Sequence, residues 1–287
     1  MQALAHLNRV LPGLQPLLKY RAADWPHDLR AGLSVAAVAI PIAIAYAQLA
    51  GFSPSTGLYA SILPMVVYAF AGTSRQLIIG PDAATCAMLA AVVAPLAAGN
   101  SGLYLSYTIA LTLLTGVFCL AASFLRLGGL ADFLAKPIII GLLNGVSLSI
   151  LIGQVSKVLG SKPEASRFFK QLLEIPDLVL RAHWPTVIMS IGCAAVMFLM
   201  PRYTKRVPAS LVTMIVAGLA AFLFGLDKHG VALIGPVAGG LPDLEWPELH
   251  IDVVGEIAAS AAGLALVLFT SGMLTARSFA ERNGYDI

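Results

Sequence analysis

The sequence is poor in charged residues and in cysteine. Of its 287 residues, 11% are charged and 58% are hydrophobic, whereas about a quarter of the residues in a soluble domain carry charge. A soluble chain of this length can bury a core without so large an apolar excess, so we expect an integral membrane protein. The cysteines lie in apolar segments without metal-ligand spacing, which predicts buried thiols instead of disulfides or zinc ligands at Cys86, Cys119 and Cys193.

Patterns typical of enzymes and cofactor sites are missing as well. The five histidines all fall outside the apolar segments and form no metal-ligand set. The sequence has no nucleophile triad, phosphate-binding loop or dinucleotide fingerprint. The formal net charge of +3 is small, and the basic residues are placed as membrane topology requires. We therefore expect no enzyme, no metal or cofactor, and no nucleic-acid partner.

Long apolar runs dominate the rest of the sequence. Several of them approach the ~20 residues that a helix needs to cross ~30 Å of hydrocarbon. We predict an all-α membrane protein with about eight segments, at 31–50, 56–71, 80–98, 103–125, 137–156, 185–200, 208–225 and 255–276. Residues 1–30 mix charges with prolines and lack the apolar core of a signal peptide, which predicts a cytoplasmic lead-in.

The placement of Lys and Arg predicts the orientation. With the N-terminus inside, most basic residues fall on the inner side, and the short outer loops 51–55 and 99–102 contain none. This bias predicts a cytoplasmic N-terminus in a plasma (inner) membrane. Of the two longer outer loops, 157–184 has the pattern of an amphipathic surface helix, whereas 226–254 is acidic and solvated.

Asp82 is a carboxylate inside an apolar segment, and the only other carboxylate within the segment bounds is Glu256, at the start of segment 255–276. It follows Gly80-Pro81, and because proline is tolerated in a first helical turn but not in a helix interior, a helix is predicted to start here, partway through the membrane. The free N–H groups and positive dipole end of such a helix can hold an anion. A buried acid beside them repels the anion unless it is protonated or paired with a cation. This conflict predicts anion transport together with H⁺ or Na⁺.

A long motif covers the first two segments. It reads P-I-A-I-A-Y-A-Q-L-A-G-F-S-P-S-T-G-L-Y-A from Pro41 to Ala60, followed by G-T-S-R at 72–75 and I-G-P at 79–81. Pro41 kinks a helix, and the alternating alanines allow close helix contact. The motif resembles the hallmark of the SulP anion permeases, the sulfate-permease family of inorganic and organic anion transporters. Two later stretches, at 235–242 and 276–285, are also similar to that family.

The resemblance implies a uracil-permease-like fold of two inverted seven-segment repeats, in which a core domain moves against a gate domain. On that map, residues 31–126 are core segments 1–4, and residues 137–225 are gate segments 5–7 with the outer loop 157–184. Residues 226–254 form an outer loop, and 255–287 form core segment 8 with its cytoplasmic end. We expect the remaining second repeat and the family's STAS domain to be absent, by truncation or because a separate polypeptide supplies them. A homodimer is a further family expectation.

The resemblance also places the substrate between segments 1, 3, 8 and 10. On this chain it implies Tyr46 in the first segment, the start of the third, and hydroxyls in the eighth, which gives Tyr46, Pro81, Asp82, Ala83, Ser271 and Thr275. Many relatives carry an acid where Ser271 stands and a small or apolar residue where Asp82 stands, so one charge has moved within the site. Each residue has a simpler alternative role: packing for Tyr46, helix N-capping for Asp82, and hydrogen bonds within the bundle for the hydroxyls.

The leading hypothesis is secondary transport of a small anion, of the sulfate, bicarbonate or dicarboxylate class. Asp82 would couple transport to H⁺ in preference to Na⁺, because hard cations prefer more oxygen ligands than the chain offers here. One alternative is a transport-incompetent half-fold that serves as a scaffold or partner subunit. Another is a nucleobase-type permease of the same architecture, which the motif of the first two segments disfavours.

Overall fold

The computed structural model describes residues 11–14, 18, 20–74, 76–125, 136–161, 163, 168–204, 207–235, 240, 246–247 and 251–284. Within these ranges the chain forms nine α-helices and no strand, which confirms the all-α prediction. The helices are α1 (Trp25–Leu49), α2 (Pro54–Ala71), α3 (Ala83–Ala97), α4 (Ser101–Phe124), α5 (Lys136–Leu159), α6 (Phe168–Leu180), α7 (Trp184–Tyr203), α8 (Ala209–Phe224) and α9 (Ile251–Asn283). Each predicted apolar segment coincides with a helix, and α6 is the predicted amphipathic helix. Residues 1–10, 15–17 and 19 of the predicted lead-in, and 12 of the 29 residues of the loop 226–254, lie outside the described residues.

The helices differ in their capacity to cross a membrane. Among the described residues, five are long and apolar enough by length and composition: α1, α2, α4, α7 and α9. The apolar helices α3, α8 and Ser147–Leu159 within α5 are shorter. The 15 residues of α3 extend about 22 Å, less than the ~30 Å hydrocarbon core. A half-helix is therefore present where the sequence predicts one, and the number of membrane crossings stays a prediction.

Two helices begin earlier than the apolar pattern predicts. Helix α1 starts at Trp25, inside the predicted lead-in, with Pro26 and the acidic Asp28 in its first turn. Both residues favour a helix start, since proline loses no hydrogen bond there and a carboxylate interacts well with the dipole. Helix α9 starts at Ile251, inside the predicted outer loop, and runs for 33 residues. Hydrophobicity alone therefore marks the apolar part of a helix and misses its polar first turn.

The chain divides into two compact units. The first consists of Met1–Tyr20, Tyr46–Asn144 and Gly240–Ile287, and the second consists of Arg21–Ala45 and Gly145–Gly239. The assignment of their helices to core and gate domains stays a prediction.

In the first unit, α9 packs against α4, and both helices contact α3. Each helix contributes a side chain with 0% exposure to this core: Val93 from α3, Leu111 from α4 and Ile257 from α9. The alanines Ala110 and Ala261 are buried in the same cluster. Lipid tails are as apolar as leucine, so van der Waals packing of small and branched side chains has to hold these helices together. The three helices form the frame in which the start of α3 is fixed.

The short turn between α3 and α4 places the start of α3 partway along α4. Asn100 caps α4, because its side-chain oxygen accepts hydrogen bonds from the N–H groups of Gly102 (2.9 Å) and Leu103 (3.2 Å). The turn between α3 and α4 is only three residues long, from Ala98 to Asn100, so the two helices run antiparallel side by side. Helix α4 has 24 residues and α3 has 15. The difference of nine residues places the start of α3 about 14 Å before the far end of α4.

In the second unit, short hydrogen bonds join the ends of three helices. The His183 N–H donates to the Leu159 carbonyl at 2.8 Å, and the Ser161 hydroxyl donates to the Leu178 carbonyl at 3.1 Å. Helix α7 also packs against α8. Gly160 ends α5 in the left-handed conformation (φ 68°), and a Cβ built there would lie 2.8 Å from the Thr186 Cβ. The junction therefore requires glycine for both its backbone angle and its close contact.

Replacing Gly160 by alanine is expected to destabilise the chain by about 2 kcal/mol, because it adds a left-handed residue and a clash in one step. The measurement is thermal unfolding of the purified protein in detergent. Gly145→Ala is the matched control, since a Cβ there meets nothing within 4 Å and alanine favours the helix. Equal unfolding midpoints for the two variants would contradict the packing at this junction.

Candidate functional site

Asp82 is the N-cap of α3. Its Oδ1 accepts a hydrogen bond from the Thr85 N–H at 3.0 Å, and its Oδ2 accepts one from the Thr85 hydroxyl. The Asp82 backbone is extended (φ −124°, ψ 156°), and the helix begins at Ala83. The capping role offered as an alternative is therefore present in the structure, and both carboxylate oxygens are held against the first turn. Proton coupling through this group stays a prediction.

The first turn of α3 keeps N–H groups for a ligand. Helix geometry leaves the N–H groups of Ala83 and Ala84 without an intrahelical acceptor, and the cap occupies that of Thr85. Pro81 has no N–H, so it contributes only to the direction of the chain. Pro81 and Ala83 are partly buried, whereas the Asp82 side chain is exposed. An anion at this helix start would meet two donors and the positive dipole end, and also the charge of Asp82.

Tyr46 lies near enough to Asp82 for the two side chains to interact electrostatically, and its role in a substrate site stays a prediction. Tyr46 lies in the last turn of α1 and is partly buried. Its hydroxyl is close enough to Asp82 and to Cys86 for electrostatic interaction, and Cys86 interacts in the same way with Asp82. Tyr46, Asp82 and Cys86 therefore form an electrostatically interacting group near the start of α3.

Sequence reasoning missed two residues of this cluster. Cys86 lies one turn after Asp82 on the same face of α3, and Tyr104 in the first turn of α4 interacts electrostatically with Cys86. The spacing of four residues between Asp82 and Cys86 was a usable signal, because such residues neighbour each other on a helix. The approach of Tyr104 depends on how α4 packs, which no local pattern reveals.

Ser271 and Thr275 share an exposed face of α9. The Thr275 hydroxyl donates to the Ser271 carbonyl at 2.8 Å, a bond within its own helix. In the described part of the chain, neither hydroxyl is hydrogen-bonded to Tyr46, Asp82 or Cys86. The structure therefore does not join them to the cluster at α3, and their role as ligands stays a prediction.

The first unit also contains an open cavity of about 1080 Å³. Leu77 and Ile79 line it from the extended segment before α3, and Phe269, Gly272 and Met273 line it from α9. Asp82, Tyr46 and Ser271 are not among its lining residues, although Ile79 precedes Asp82 by only three positions. The cavity therefore adjoins the segment that leads to the candidate site and does not contain the site.

A half-helix that starts beside the middle of a longer neighbour, in an all-helical chain with several apolar spans, is typical of secondary transporters. The sequence profile described as the Sulfate permease family matches residues 26–287. The chain therefore belongs to the sulfate permease family, a family of multi-pass membrane transporters and not of enzymes, and the resemblance found in its motifs is confirmed.

Individual relatives agree with this assignment. A probable sulfate transporter of Mycobacterium tuberculosis is 38% identical over 276 residues, which are 96% of this chain and 49% of the relative. The murine solute carrier 26 family member A9 anion transporter, in its inward-facing state, matches 99% of this chain and 51% of its own, with a TM-score of 0.88 at 22% identity. The transmembrane domain of a cyanobacterium bicarbonate transporter, BicA, matches 91% of this chain and 67% of its own, with a TM-score of 0.78 at 23% identity. These structural matches show the fold, and the chain spans about half the length of the mycobacterial relative.

Proposed function

We propose that this chain takes part in secondary transport of a small inorganic or organic anion, of the sulfate, bicarbonate or dicarboxylate class. The observation that carries the proposal is the start of α3, which lies partway along α4 with the N–H groups of Ala83 and Ala84 unused by the helix and Tyr46 alongside. Transport by motion of a core against a gate, in a plasma membrane with the N-terminus in the cytoplasm, belongs to the same proposal. The names of the sulfate and bicarbonate transporters that resemble the chain support this substrate class.

Asp82 is the proposed coupling group. A carboxylate about 4 Å from an anion of unit charge raises the energy by about 4 kcal/mol at an effective dielectric constant of 20. Protonation removes this repulsion and leaves the helix N–H groups free to bind, so anion and proton would occupy the site together. Ser271 and Thr275 are proposed as additional oxygen donors, and the homodimer expected from the family is the proposed assembly.

The binding half of the proposal is testable without a transport assay. Sulfate is expected to raise the thermal unfolding midpoint of the purified chain in a saturable way, because a ligand that binds only the folded state stabilises it by RT ln(1 + [L]/Kd). Titration against potassium gluconate at equal ionic strength controls for charge screening. Sulfate also stabilises proteins without binding, but that effect does not saturate. A rise without saturation at any pH between 5 and 8, the same in Tyr46→Ala as in wild type, would overturn the proposed site.

A further inference from the structure

Tyr104 anchors the end of the helix that carries Tyr46. Its hydroxyl donates a hydrogen bond of 2.5 Å to the carbonyl of Ala50, directly after α1. Ala50 is only 4% exposed, so water has little access to replace this donor. The Ala50 N–H in turn donates to the Tyr46 carbonyl at 2.9 Å. One residue therefore links the first turn of α4 to the backbone of Tyr46.

Two further contacts hold Tyr104 against the turn that follows α1. Its ring lies against Phe52, with 5.2 Å between the centroids. Gly51 is in the left-handed conformation (φ 80°), and a Cβ there would lie 3.3 Å from the Tyr104 oxygen. The turn after α1 is thus shaped around the Tyr104 ring, since a larger residue at 51 would press on it.

We propose that Tyr104 is a positioning residue for the anion site: by holding the end of α1, it sets the place of Tyr46 beside the start of α3. The inference rests on the proposed function, because it assigns Tyr104 to the same site. Tyr104 acts through Tyr46, and it does not itself contact the anion. Tyr104 lies in the first turn of α4, which a three-residue turn joins to the C-terminal end of α3.

The experiment is a sulfate titration of thermal stability for Tyr104→Phe, alone and combined with Tyr46→Ala. Loss of one hydrogen bond and release of the α1 end are expected to raise the half-saturating sulfate concentration about fivefold. In the Tyr46→Ala background, adding Tyr104→Phe is expected to produce no further rise, because the residue that it positions is already gone. A residue that serves stability alone would lower the midpoint without sulfate and leave the half-saturating concentration unchanged.

Tyr59→Phe is the matched control, since Tyr59 also donates from its hydroxyl to a backbone carbonyl, that of Gly240 at 2.7 Å, and is not part of the cluster. Tyr59→Phe should have the same half-saturating sulfate concentration as wild type. Gly51→Ala tests the same joint with Tyr104 intact and is expected to act in the same direction as Tyr104→Phe. The positioning role is overturned if Tyr104→Phe leaves the half-saturating sulfate concentration unchanged. It is also overturned if Tyr104→Phe raises that concentration equally in the wild-type and Tyr46→Ala backgrounds. Failure of the wild type to show any saturable shift would overturn the proposed function instead.

Discussion

Replacing Asp82 by asparagine is expected to strengthen sulfate binding about tenfold and to abolish accumulation driven by a proton gradient, while the cap of α3 remains. Asparagine caps a helix about as well as aspartate, so the Thr85 N–H that Asp82 now satisfies keeps an acceptor. What changes is the charge, whose repulsion of an anion about 4 Å away costs about 4 kcal/mol at an effective dielectric constant of 20. Relief of a third of that energy is about tenfold in affinity. In wild type, repulsion by the Asp82 carboxylate should therefore weaken sulfate binding about tenfold relative to Asp82→Asn at the same pH.

The measurement is sulfate uptake into proteoliposomes, with and without a proton gradient, together with the sulfate-induced shift of the unfolding midpoint. The variant should lose accumulation driven by the gradient and keep equilibrium binding. Glu256→Gln is the matched control, because it neutralises another exposed acid of the first unit, in the first part of α9. The coupling role is wrong if wild type and Asp82→Asn show the same pH dependence and the same turnover. It is also wrong if Glu256→Gln has the larger effect.

The sequence predicts the helices well because each has a strong one-dimensional signal. In the described part of the chain, the apolar segments locate every helix that is long and apolar enough to cross a membrane, and the proline before Asp82 marks the start of α3. Helix starts are predicted less well, since the first turns of α1 and α9 contain charged residues that a hydrophobic pattern excludes. A negative charge near a helix start stabilises the helix through its dipole, whereas a hydrophobic pattern counts the same charge as evidence against a helix.

The site is predictable only where its residues share one helix or a family motif. Asp82 follows from its isolation in an apolar segment, and Tyr46 follows from the motif. Tyr104 has no such signal, because its contact with Ala50 joins residues 54 positions apart and exists only after α4 has packed. Ser271 and Thr275 share a helical face, but in the described part of the chain no hydrogen bond joins them to Asp82, so their place in the site stays a prediction.

The packing of α9 on α3 and α4 gives the second large effect that we expect. Ala261 is 0% exposed within the cluster formed by these helices, together with Val93 and Leu111, whereas its neighbour Ala262 is exposed. Leucine at 261 adds three heavy atoms where no space is present, so the helices must separate. Overpacking of this kind costs about 2–3 kcal/mol, which for a chain of this size lowers the unfolding midpoint by roughly 5–10 °C.

Ala262→Leu provides the control, because it makes the same substitution on the same helix one residue along and changes helix propensity equally. Its exposed position predicts a change of less than about 0.5 kcal/mol. Since lipid does not drive apolar helices together, close packing has to supply the association energy, and Ala261→Leu removes it at the contact that fixes α3. Ala261→Leu should therefore also weaken the saturable sulfate shift, whereas Ala262→Leu should preserve it. Equal unfolding midpoints for the two variants would show that α9 does not pack on α3 and α4 through the face that contains Ala261. The packing of α9 would then not be what fixes the position of the start of α3.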